Sequence, residues 1–179
     1  MATSDARRLA RGTASTGRSR YSTVPIGSVA YGSVGTNTTM VAGTIYWAEL
    51  YVPRNITVAS INVLNGATVG TDKGIAAIYD SNGLLLTNSA LAGATTSGAN
   101  TFQSYAPATA TGTYDLVGPA RYWIAYQSNG TTDTIRTIAT ATFIDVLTTS
   151  ATGAFGTLTA LTVPTTFTAD KGPVAYIAA

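Results

Sequence analysis

Eight acidic side chains carry most of the catalytic chemistry this sequence could perform: Asp5, Glu49, Asp72, Asp80, Asp115, Asp133, Asp145 and Asp170. There is no His and no Cys. That removes Ser-His-Asp and Cys-His nucleophiles, His-based proton transfer and zinc sites of the usual His/Cys kind. What remains is carboxylate chemistry of the glycosidase type, which needs two carboxyl groups about 5–9 Å apart across a cleft. Glu49 could meet another acid in space, but no spacing singles out a pair, and no catalytic residue is assigned. Asp80-Ser81-Asn82-Gly83 begins like a calcium loop but lacks the later ligands and the closing Glu. A hairpin turn is the simpler reading, with Gly83 taking a positive φ. No Gly-rich loop follows a strand and opens a helix, so no nucleotide site is expected. Neither a cofactor nor a metal is expected, and the chain reads as a non-enzyme.

Binding chemistry is better represented. Trp47 and Trp123 lie in strand-like runs with Tyr46, Tyr51, Tyr122 and Tyr126. Exposed rings of this kind stack on sugars, whereas buried ones pack between sheets or at an interface. Trp123 follows the Gly118-Pro119 turn, on the more polar face of its strand with Arg121, Ala125 and Gln127. Tyr122, Ile124 and Tyr126 form the expected core face. Trp123 is therefore expected to be covered by a loop, an arm or a neighbouring subunit.

The second binding element is basic. Arg7, Arg8, Arg11, Arg18 and Arg20 stand against the single acid Asp5, which gives the first twenty residues a net +4. The other five cations stand against seven acids, a net −2. The arm is poor in apolar residues and cannot offset its own ordering entropy. Its arginines fit bidentate pairing with an acidic protein surface. Phosphate binding is the less favoured use, because no aromatic platform accompanies them.

The positioning elements read as strands. Runs at Thr39 to Val52, Ile56 to Leu64, Gly74 to Tyr79, Leu84 to Asn88, Thr101 to Tyr105, Thr113 to Val117, Arg121 to Gln127 and Thr134 to Val146 are separated by Asn-Gly, Gly-Pro and similar turn residues. Short strands at this spacing predict an all-β fold, an antiparallel β-sandwich of jelly-roll-like form. The expected organisation is a basic flexible arm at 1–22, a sandwich at 23–146, and a C-terminal extension at 147–179. That extension either completes the sandwich or contacts a neighbouring subunit. The 179 residues suffice for one domain with a real core. The absence of Cys suits a reducing compartment. Charged residues make up only 10%, against about 25% in ordinary domains, so hydroxyls and amides must solvate the surface. No apolar run follows the N-terminal arginines as in a secretory leader, and none approaches the roughly 18–20 residues of a membrane span.

Several stretches resemble a β-sandwich segment of tailed-bacteriophage virion structural proteins. They are Gly43 to Pro53, Val63-Leu64-Asn65-Gly66, Val69 to Lys73, Tyr79 to Gly83, Gly118 to Ala125, and Pro164 to Thr168 near Gly172-Pro173. The likeness spans about residues 39–179 and leaves the arm outside. It implies a capsid decoration, or cement, protein: a homotrimer on the outer capsid surface, assembled in the host cytoplasm and bound to the major capsid protein or other virion proteins. The alternative it leaves is a carbohydrate- or receptor-binding module of a tail or head fibre.

Overall fold

A computed structural model describes residues 20–25, 30–139 and 146–179. The first strands are β1 (Arg20–Ser22), β2 (Thr36–Thr39), β3 (Ile45–Val52), β4 (Ile56–Val58) and β5 (Ser60–Leu64). Then come β6 (Lys73–Tyr79), β7 (Leu85–Asn88), β8 (Ala94–Thr95), β9 (Phe102–Tyr105) and β10 (Tyr114–Leu116). The chain continues through β11 (Ala120–Ser128), β12 (Thr134–Thr137), β13 (Thr148–Ala151) and β14 (Ala175–Ala178). A single 3-10 turn, Tyr31–Ser33, is the sole helical element among the described residues.

The fold is an all-β antiparallel sandwich. One sheet has the order β13-β3-β11-β6-β7, with β8 also on β6; the other has the order β1-β14-β5-β9. Two short ribbons, β10-β4 and β12-β2, complete the set. β11 is the organising strand. It pairs along its length with β3 and β6, with Ile124 opposite Ala48 on one side and Ile78 on the other. Strand alternation sends Tyr122, Ile124 and Tyr126 to one face, where they share a core with Ile61, Val63 and Ile177 of the opposing sheet. The core face expected for β11 is the one observed.

The other face of the larger sheet is also buried. Ile45, Trp47, Ala77, Tyr79, Trp123 and Ala125 cluster there with Leu161, and Leu147 and Leu158 pack against them. The segment after β13 thus acts as a cover made of coil. Gln127, a polar side chain on this face, is fully buried and tethers that cover. Its Nε2 donates to the carbonyls of Gly43 (2.8 Å) and Ala154 (3.0 Å), and its Oε1 accepts from the Gly156 amide at 3.0 Å.

Several boundaries differ from the sequence expectation. Thr39 to Val52 is not one strand, because the chain turns at Gly43 (φ +75°). A Cβ there would sit 2.0 Å from the Gly153 carbonyl oxygen. Ile56 to Leu64 changes partners at Ala59: β4 pairs with β10, whereas β5 lies between β14 and β9. β12 ends at Thr137, and 140–145 lie outside the described residues. The hairpin at Asp80 to Gly83 forms as expected, with Gly83 at φ +83°. The Asp80 carboxylate accepts from the amides of Asn82 and Leu84, each at 2.9 Å.

The arm boundary shifts as well. Arg20–Ser22, expected inside the arm, pairs with β14 as an edge strand, Tyr21 opposite Ile177. The Tyr21 ring packs against the main core, and that apolar contact holds the pairing in place. Residues 1–19 lie outside the described residues. The segment 147–179 contributes β13 to one sheet and β14 to the other, so it completes the sandwich.

Burial of tyrosine hydroxyls has a consequence at high pH. It pushes Tyr79 and Tyr105 up to about 12 and Tyr126 well above its ordinary value of 10. The folded state therefore holds these protons when the unfolded chain has lost them. The associated stability is complete below pH 10 and drains away between pH 10 and about pH 12. Tyrosinate absorbance against pH is expected to rise in more than one step. A later, steeper step should coincide with loss of the β circular-dichroism signal. A single step near pH 10 with the β signal intact would contradict this.

Candidate functional site

The carboxylates fall into distinct settings. Asp72 and Asp133 lie together, yet they face loops and not a cleft. Asp133 is 1% exposed. Its carboxylate accepts from the amides of Gly70 (3.2 Å), Thr71 (3.2 Å) and Asp72 (2.8 Å), and from the Thr96 hydroxyl. Asp72 returns the arrangement, its Oδ2 accepting from the amides of Thr132 and Asp133, each at 2.8 Å. The loop before β6 and the loop before β12 are thus clasped by each other's carboxylate. Lone pairs committed to buried amides hold structure together. Asp115 accepts from Thr57 on an exposed ribbon (2.6 Å). Asp5 and Asp145 are outside the described residues. Among the described residues no three metal-ligating side chains come together.

Trp47 and Trp123 are each 1% exposed. Trp47 meets Tyr79 edge-to-face, with ring centroids 5.9 Å apart. Neither indole offers a face to a sugar, and the cover over both is this chain's own Leu147, Leu158 and Leu161. The sugar-contacting expectation for these two residues is therefore corrected, and so is the neighbouring subunit as their cover. Periodicity had no means of locating this cover, because the covering segment has none.

Arg7, Arg8, Arg11 and Arg18 lie outside the described residues. Arg20 is described: its guanidinium sits 4.9 Å from the Tyr176 ring centre, a cation–π contact on the outer side of β14.

The feature with the most varied chemistry is a groove of about 410 Å³ at one end of the larger sheet. Glu49 on β3 is opposite Trp123, and Tyr51 is opposite Arg121 on β11. Glu49 and Arg121 are thus diagonal neighbours on the face that carries Trp123, and Tyr51 lies beside them. Glu49 Oε2 and Arg121 Nη1 are 2.9 Å apart, and the Leu147 amide donates to the same carboxylate oxygen at 3.4 Å. Glu49 is 7% exposed and Tyr51 55% exposed, so a buried carboxylate forms the floor and an open ring the rim. Ser22 through Pro25 and Val146 wall the groove. Pro25 and Val146 each adjoin a stretch outside the described residues. Glu49 and Tyr51 stand out in the sequence, but the groove has no signal there, because it depends on the fold bringing β1 and Val146 together.

No protein-family model, curated protein or solved structure matches this chain. No helix among the described residues is long and apolar enough to cross a membrane.

Proposed function

We propose that this chain is a non-enzymatic virion structural protein, a capsid decoration protein whose sandwich projects from the shell while its basic N-terminal segment grips the major capsid protein. The observation that carries this reading is the rooting of that segment. Arg20–Ser22 is an edge strand on β14, and Thr23 continues the attachment, its amide donating to the Ala175 carbonyl at 2.9 Å. A pull on residues 1–19 is therefore borne by a sheet and not by a hanging tail. Four arginines and one acid in those nineteen residues suit bidentate pairing with carboxylates of a shell subunit. The weakly charged, Thr-rich body limits repulsion between crowded copies. The resemblance of residues 39–179 to phage virion proteins supports the same reading, and a homotrimer follows from that resemblance.

The test uses particles assembled without this chain. Purified protein added back is expected to co-sediment with them and to label heads in electron micrographs. Residues 20–179 alone should melt like the full chain yet bind at least about tenfold more weakly. Residues 23–179, which lack β1, should melt lower. Absence from heads would overturn the decoration role, and undiminished binding of residues 20–179 would overturn the role of the arm. A second reading, nucleic-acid binding by the same arginines, predicts tight, length-dependent binding to DNA or RNA at physiological salt. Affinity no better than the weak non-specific range, about 10⁻⁴–10⁻⁶ M, is expected instead.

A further inference from the structure

We infer that Arg136 is the centre of a binding site for a single carboxylate supplied by another molecule. This goes beyond the decoration role and does not depend on attachment to a particle. Arg136 lies on β12 and is only 8% exposed, so its charge is largely removed from water. Its Nη2 donates to Asn100 Oδ1 at 2.7 Å. That is its one hydrogen bond among the described residues, and the buried Nε has no acceptor there. A buried charge is costly unless it is paired. A guanidinium cannot escape that cost by giving up its proton. The neutral Asn100 amide satisfies one N–H and leaves the charge unbalanced.

The acids among the described residues are committed elsewhere. Asp72 and Asp133 hold the loop clasp, Glu49 pairs with Arg121, and Asp80 accepts from the amides of its own hairpin. Asp115 takes the Thr57 hydroxyl, and Asp170 the Thr137 hydroxyl at 3.4 Å. Thr137 follows Arg136 along β12, so strand alternation sends it to the opposite face. The approach to Arg136 lies past Gly32, which is exposed. A Cβ on Gly32 would stand 3.4 Å from Asn100 Cγ and 3.7 Å from Arg136 Nη2, at ordinary contact distance. The place a side chain would fill therefore lies over the junction of amide and guanidinium. Asn100 is fixed beforehand: its φ is +54°, and its amide donates to the Gly66 carbonyl at 2.8 Å. A monoanion balances the one guanidinium, and a planar carboxylate matches its planar array of donors.

Sodium acetate, titrated into the isotopically labelled full chain against sodium chloride and sodium phosphate at equal ionic strength, tests the site by NMR. Acetate is expected to move the Arg136 Nε–H and Asn100 amide signals saturably in the millimolar range, while chloride and phosphate leave them in place. Arg136→Met, which keeps the bulk and drops the charge, should abolish the Asn100 response. Gly32→Asp should supply the carboxylate from within, raising the melting temperature and removing the acetate response. A tripeptide with a central Glu and both ends blocked separates the two sources of a carboxylate. Its binding assigns the side chain of a neighbouring protein, and binding of acetate alone assigns a free acid. The inference is overturned if acetate and chloride act alike, if phosphate acts as strongly as acetate, or if the Asn100 response survives Arg136→Met. It is also overturned if Asp5→Asn or Asp145→Asn by itself moves the Arg136 signal, since an acid of this chain would then already hold the guanidinium. None of these results bears on co-sedimentation with particles, so the two proposals fail separately.

Discussion

Trp123→Ala is expected to destabilise the protein by about 3–5 kcal/mol, the usual cost of emptying a fully enclosed large aromatic site. Trp123 is 1% exposed and shares its cluster with Trp47, Tyr79 and Leu161. The effect should not stop at a cavity. One side of the cluster is coil, held by few contacts: the Gln127 tethers and the Leu161 amide donating to the Gly83 carbonyl at 2.9 Å. Removing the indole takes away the surface against which that coil packs. A melting temperature lower by on the order of 10 °C is expected for a domain of this size. Faster proteolysis after β13 and stronger binding of a hydrophobic dye should accompany it. Trp47 remains as the fluorescent reporter, since the chain has two tryptophans. Tyr51→Ala, on the same sheet but at the open rim, should stay within about 0.5 kcal/mol of the parent. Equal melting of the Trp123→Ala variant and the parent would show that the indole is not enclosed.

Asp133→Ala should cost a similar amount, roughly 3–5 kcal/mol, for a different reason. The substitution removes little apolar contact. It removes the carboxylate acceptor of the Gly70, Thr71 and Asp72 amides and of the Thr96 hydroxyl, leaving the Gly70 amide the Thr96 hydroxyl oxygen at 3.2 Å and the Thr96 hydroxyl the Asp72 carbonyl at 3.3 Å. Each buried donor left without an acceptor costs about 1–3 kcal/mol, and partial access of water to the loop limits the total. Asp133→Asn keeps the shape but turns an NH₂ group toward other donors, so most of the loss should persist. Asp72→Ala strands two amides and should cost less. Urea titrations give these differences as changes in midpoint at constant slope. Amide exchange at Gly70 to Asp72 should accelerate selectively. A loss under about 1 kcal/mol for Asp133→Ala would mean the clasp is not structural.

The contrast between these two sites marks where sequence reasoning reaches its end. The hairpin at Asp80 to Gly83 was legible because its signal is local: turn residues flanked by alternating strands. The inward face of β11 was legible for the same reason, since alternation over Arg121 to Gln127 divides apolar from polar. The second face was less legible because it is half polar, with Gln127 buried as a tether and Arg121 left at the rim; Trp123 on it is covered as expected, but alternation carried no sign of by what. Its cover, Leu147 before β13 and the aperiodic coil that carries Leu158 and Leu161 after it, holds no trace of what it will lie against. The Asp72–Asp133 clasp joins residues sixty-one positions apart, and each Asp alone reads as a solvated turn residue. Of the groove, single members were visible on β3 and β11. The walls come from Ser22 to Pro25 and Val146, brought together by sheet order and not by spacing. Charge alone groups Arg20 with the arm, although Tyr21 beside it is the apolar anchor that fixes β1.

The position of β14 constrains how this protein is made. The last strand is interior to its sheet, between β1 and β5. Until residues 175–178 have been synthesised and have emerged, β1 and β5 therefore have no partner between them. The smaller sheet cannot close until residue 178 has cleared the exit tunnel. Pairings this distant in sequence are slow to form, and nascent chains wait with open strand edges that invite association. Truncated products ending before Val174 should accumulate as aggregates and not as partly folded monomers. Overproduction should improve when translation does not outpace chaperone capture.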